Sequence, residues 1–218
     1  MKNKIQATYP QSVFQTTSAE TIYVADFTER TDSKRKVEIH ASLPTVPDGG
    51  ENMDCLKLNN KQPLSLDFCL FDDHQFKDEE GKDISHCECC FFPTLNDERS
   101  FVAFVEIKDC KAKSVSQYRN KAKEQILSTV QMFKSSDIII DKQRIYGILS
   151  FPRRKKMLFN DFPYRDIFEE TRWVKEYGIH LIASNELTIE SARRIFVTVH
   201  SREGSLPVPS QARHFVVI

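Results

Sequence analysis

Residues Phe101 to Lys108 read FVAFVEIK, an apolar run that ends in Glu-Ile-Lys. Alternate residues of a strand share a face, so Val102, Phe104, Glu106 and Lys108 point one way while Phe101, Ala103, Val105 and Ile107 point the other. Both faces are therefore apolar over most of their length, and Glu106 and Lys108 meet on one of them. A carboxylate and an ammonium at the end of so hydrophobic a strand are costly to bury unless they pair or bind a metal. On spacing alone, a strand end emerging into water with a weak ion pair is the simpler account.

The neighbouring segments set the context. Leu64 to Phe71 (LSLDFCLF) alternates, with Leu64, Leu66, Phe68 and Leu70 on one face, and predicts a strand. A hydrophilic loop leads to a second run, Cys87 to Phe92, and the polar turn PTLNDERS leads on to Phe101, so these two runs predict an antiparallel hairpin. After Lys108 the period changes. Val115, Tyr118, Ala122, Ile126, Val130 and Phe133 recur at steps of three and four, which predicts a helix over residues 115–135. Arg144 to Phe151 suits a buried strand beside the hairpin and is closed by Pro152. A polar helix over 164–177 follows, stopped by Gly178, with further strands expected at 179–183, 195–200 and 214–218. Earlier in the chain, Thr21 to Phe27 and Val37 to Leu43 look strand-like, and Pro44 to Gly50 (PTVPDGG) is a loop. The expected class is α/β, a mixed central β-sheet with flanking helices, in which residues 1–60 are N-terminal additions packed on a core of 61–218.

A chain of 218 residues is long enough to bury one substantial core. No stretch approaches the ~18 apolar residues that cross a bilayer, and the opening MKNKIQATYPQS lacks the apolar centre of a secretory signal, so a cytoplasmic protein is expected. In that compartment Cys55, Cys69, Cys87, Cys89, Cys90 and Cys110 are expected as free thiols. The net charge of zero hides an asymmetry: residues 1–110 hold 12 basic and 20 acidic side chains, residues 111–218 hold 19 and 11. This suits a nucleic-acid face in the second half and an acidic, cation-attracting site in the first; a solvated acidic loop around Asp72 to Asp83 is the plainer alternative.

An apolar hairpin ending in Glu-Ile-Lys, a polar turn, an amphipathic helix carrying Gln125 in KAKEQILSTV, and another strand together resemble the PD-(D/E)XK nuclease superfamily over residues 85–152. The resemblance implies a restriction-endonuclease-like core and divalent-metal-dependent hydrolysis of phosphodiester bonds, with DNA as the expected substrate. It implies that Glu106 ligates Mg²⁺ or Mn²⁺, that Lys108 orients or activates the attacking water, and that Gln125 is a companion of the site. An acid on an earlier strand completes the metal site. Glu88 in HCECCFF is favoured, although it stands where Asp is usual, and Asp67 in LSLDFCLF is the alternative. Glu20 is a further acid by position alone. Small chains of this kind resemble effector subunits of bacterial restriction or anti-phage systems, which implies an ATPase or helicase partner. The competing expectation is a non-catalytic nucleic-acid-binding or assembly subunit that retains the fold.

Other motifs are weaker. His86, Cys87, Cys89 and Cys90 include zinc-ligand types, but strand alternation separates Cys87 and Cys89 from His86 and Cys90, and no second Cys/His pair with knuckle spacing exists. Cys110 has no histidine near it in sequence to activate it as a nucleophile. Arg153, Arg154, Lys155 and Lys156 form a basic block suited to a phosphate backbone or to a solvated turn. There is no Gly-rich phosphate loop, so ATP hydrolysis is assigned to a partner.

Overall fold

The computed structural model describes residues 1–27, 37–46, 50–72, 74–108, 115–152 and 167–198. The N-terminal half contributes α1 (Lys2–Thr8), β1 (Val13–Thr17), β2 (Thr21–Asp26), β3 (Val37–His40) and β4 (Leu56–Asn60). The hairpin strands and their leader follow as β5 (Leu66–Leu70), β6 (Cys89–Pro93) and β7 (Phe101–Ile107). Then come α2 (Val115–Ser135), β8 (Arg144–Ser150), α3 (Ile167–Tyr177), β9 (Ile179–Ala183), β10 (Glu186–Ser191) and β11 (Arg194–Val197). They build a six-stranded sheet, β1-β5-β6-β7-β8-β9, and a five-stranded sheet, β11-β10-β4-β2-β3. The fold is α/β.

The apolar run identified first explains this layering. Every residue of β7 is buried, so the sheet that contains it needs a cover on each face. Val102 and Phe104 lie in one core with Ala122, Ile126, Val130 and Phe133 of α2 and Trp173 of α3. Phe101, Ala103, Val105 and Ile107 lie in another, with Ile22, Val24, Leu56, Leu58, Leu187 and Ile189 of the smaller sheet. The order across the molecule is helices, six-stranded sheet, five-stranded sheet. β5, β6 and β7 form an antiparallel meander, whereas β8 joins β7 and β9 joins β8 in parallel register. Parallel neighbours need crossovers, and α2 and α3 are those crossovers. Gly178 closes α3 in the left-handed region, at φ 72°, which a residue with a Cβ rarely adopts.

The helix over 115–135 and the strand at 179–183 have the bounds that periodicity predicts. The second sheet is not foreseen. It draws β2, β3 and β4 from the first sixty residues and β10 and β11 from beyond residue 185, with β4 and β10 pairing in parallel. β1 meanwhile pairs with β5 in the larger sheet. The N-terminal region is thus woven into both sheets rather than laid upon a finished core. The strand expected at 214–218 lies outside the described residues.

Gly147 of β8 lies beneath α2, where an added Cβ would meet Ile126 Cγ2 at 3.0 Å and side-chain atoms of Ile179 and Leu181 at 3.2 Å. Gly147→Ala is therefore expected to cost about 1–3 kcal/mol by overpacking, read as a lower urea midpoint with an unchanged slope. An unchanged midpoint would contradict this packing of α2 on β8.

Candidate active site

Glu106 belongs to the set of β7 residues that faces α2, and it is fully buried. One turn of the pleat further on, the Lys108 ammonium pairs with Glu106 Oε1, as strand alternation predicts. The Lys108 side chain keeps 18% of its exposure. Its backbone N–H donates to the Ser150 carbonyl at 2.9 Å, which extends the β7–β8 ladder past the end of both strands. The pair thus sits at the carboxyl ends of neighbouring parallel strands, where open α/β sheets leave a crevice for ligands.

Glu88 reaches this end of the sheet through an irregularity. Cys89 registers with Val105 and Cys90 with Phe104, a spacing that, if continued, would set Glu88 opposite Glu106. Instead the Glu88 backbone N–H donates to the Val105 carbonyl at 3.0 Å. Two consecutive residues, Glu88 and Cys89, therefore face one residue of β7, the signature of a β-bulge. The extra residue reverses the alternation that the sequence implies, so that Cys87 and Cys90 share the helix-side core while Cys89 faces the smaller sheet. Glu88 is itself buried, with its backbone tied to Val105, the residue before Glu106.

Helix α2 holds the bulge in place. Gln125 Nε2 donates to the His86 carbonyl at 2.7 Å. Thr129 Oγ1 accepts the Cys87 backbone N–H at 2.9 Å and donates to the Gln125 carbonyl at 2.7 Å. These bonds fasten the two residues that lead into Glu88. Gln125 is thereby a positioning residue, and its buried Oε1 accepts no hydrogen bond among the described residues.

Asp67 is used elsewhere, which removes it as the alternative metal-site acid. It registers with Phe92 on β6, four residues along the ladder and two strands across from Glu106, or roughly 16 Å. Its carboxylate accepts hydrogen bonds from Lys2 Nζ, at 3.2 Å, and from the Thr16 hydroxyl. Asp67 therefore anchors α1 and β1 to the sheet. Glu20 is exposed on the turn between β1 and β2. Arg153, Arg154, Lys155, Lys156 and Cys110 lie outside the described residues.

The remaining cysteines read as packing. Cys55, Cys69, Cys87, Cys89 and Cys90 are free thiols. Burial, then a hydrogen bond with Cys69, raises the Cys90 thiol well above its ordinary range. Burial, then the nearby Asp54, pushes Cys55 up to about 12. Thiols held protonated are poor nucleophiles and poor zinc ligands. Among the described residues, no three His, Cys, Asp or Glu side chains gather into a metal-ligand set. Mg²⁺ makes a smaller demand, since it retains several waters and takes one or two carboxylates from a protein.

One neighbouring group is missing from the sequence reading. Arg119 Nη2 pairs with Glu169 Oε2 of α3 at 2.7 Å, and Lys123 Nζ pairs with the other oxygen, Oε1. The four-residue spacing of Arg119 and Lys123 is the one signal that places them on one helix face; nothing in sequence ties them to Glu169.

No protein-family model, curated protein or solved structure matches the chain. No helix among the described residues is long and apolar enough to cross a membrane.

The two acids make opposite predictions. Asp67→Ala is expected to lose about 2 kcal/mol of stability, the value of hydrogen bonds to a buried carboxylate, and to leave divalent-cation binding unchanged. Denaturant titration and calorimetry with Mn²⁺ check both halves; loss of Mn²⁺ binding would return Asp67 to the site.

Proposed function

We propose that this protein is a divalent-metal-dependent nuclease that hydrolyses phosphodiester bonds, with DNA as its substrate. The observation that carries the reading is the fully buried Glu106 carboxylate paired with Lys108 at the carboxyl end of a central strand. Glu88, whose backbone N–H is held by the carbonyl of Val105, the residue before Glu106, is the second acid of this reading. The chain order supports it: the meander β5, β6 and β7, the crossover α2 and the parallel β8 supply the sheet that resemblance to the PD-(D/E)XK superfamily calls for.

The chemistry follows from the residue types. Glu106 and Glu88 would hold Mg²⁺ or Mn²⁺, which when bound compensates phosphate charge and lowers the pKa of water. Lys108 stands at the open end of the strand, able to exchange the Glu106 carboxylate for a substrate oxygen and to set a fixed positive charge beside the attacked phosphate. Apolar packing behind Glu106 excludes water from its far side, which strengthens each of these electrostatic contacts. Gln125 and Thr129 keep the backbone leading to Glu88 from shifting.

Incubating the protein with plasmid, single-stranded DNA and RNA in Mg²⁺ or Mn²⁺, beside Glu106→Ala and Lys108→Ala, tests the reading. The parent is expected to cleave DNA, and each variant to lose about 100-fold or more of the rate. Cleavage that persists unchanged in both variants would refute this site.

A further inference from the structure

Glu169 divides its two carboxylate oxygens between Arg119 and Lys123. Their place in the fold can be fixed from the packing of α2. Ile126 lies over Gly147, with its Cγ2 3.0 Å from where a Cβ would stand, and Gly147 registers with Phe104 of β7. Glu106 lies two residues further along β7, roughly 6.6 Å. A crossover helix runs back antiparallel to its strand, and that height corresponds to about four residues of helix. The level of Glu106 on α2 is therefore that of Ala122 and Lys123. At this level Gln125 leans toward β6, where it holds His86, and Lys123 leans the other way, toward α3.

We infer that Arg119 and Lys123 form a phosphate-anchoring site for the substrate strand, with Glu169 as the counterion that the phosphate replaces. This inference rests on the nuclease reading above and adds to it a second point of contact with the substrate. A phosphodiester carries one negative charge on a pair of non-bridging oxygens, the same charge and the same paired acceptors that Glu169 now offers. Exposure favours the exchange. The Glu169 and Arg119 side chains are 24% and 28% exposed, so solvent and ligand reach their ion pair, while Lys123 at 10% is held in place beneath. The exchange is balanced only if the phosphate replaces both partly buried contacts that Glu169 gives up. Anchoring here sets a phosphate beside the Glu106 and Lys108 end of the sheet without occupying it.

Binding is measured by fluorescence anisotropy with a labelled DNA duplex and its single strand in Ca²⁺, across a range of salt. Cleavage in Mg²⁺ is measured on the same preparations. Arg119→Gln and Lys123→Gln are each expected to weaken binding about tenfold and to lower the salt slope by about one. Lys123→Arg is expected to retain binding, and Glu169→Gln to tighten it by removing the competing anion. A clamp that only ties α3 to α2 predicts lower melting temperatures in all these variants with affinity and salt slope unchanged, and that result would overturn the anchor. If the parent cleaves DNA and loses cleavage in Glu106→Ala while the charge variants bind normally, the anchor alone fails. If the expected binding pattern appears in a parent that never cleaves, the anchor stands and the nuclease reading fails.

Discussion

Burying a strand on both faces demands a layer on each side of it, and β7 makes that demand at every one of its positions. Hydrophobic burial contributes about 25 cal/mol for each Å² of apolar surface removed from water, and Phe101 and Phe104 are fully buried on opposite faces. The helices α2 and α3 satisfy one face. The smaller sheet satisfies the other, and it can form only by recruiting strands from both ends of the described chain. The weave of the N-terminal residues through the fold is thus a consequence of what a double-sided strand requires.

The polar features near β7 follow from the same constraint. A charge placed at the end of such a strand cannot reach bulk water through either layer, so Glu106 must find a cation. Lys108 supplies one from the same face of the same strand. The backbone that leads into Glu88, a second buried acid, is held by Gln125 and Thr129. Arg119 and Lys123 contribute positive charge from the helix at the same height.

Local order was legible where one physical signal dominated. Periodicity of 3.6 marked α2, and alternation marked β5, β7 and the meeting of Glu106 with Lys108. The second sheet was not legible, because its strands are short, carry polar residues on their outer face and pair across more than a hundred residues, as β4 and β10 do. The bulge was equally hidden. Alternation counts residues, and a single extra residue reverses it, which is why Cys87 joins Cys90 in the core against the sequence expectation. Asp67 had the residue type a metal site uses, yet its buried environment is completed by Lys2 and Thr16 from the N-terminal segment, partners that no motif around Asp67 announces.

On the proposed reading, the buried Glu106 carboxylate is a divalent-cation ligand as well as one half of an ion pair. Calorimetric titration of Mn²⁺ into the parent and into Glu106→Gln addresses it without dependence on a substrate or a partner. Glutamine keeps the shape of the side chain and removes its charge, so packing on α2 is preserved while the ligand is lost. Saturable Mn²⁺ binding is expected of the parent and none at this site in the variant. Equal binding by both proteins, or none by either, would contradict it.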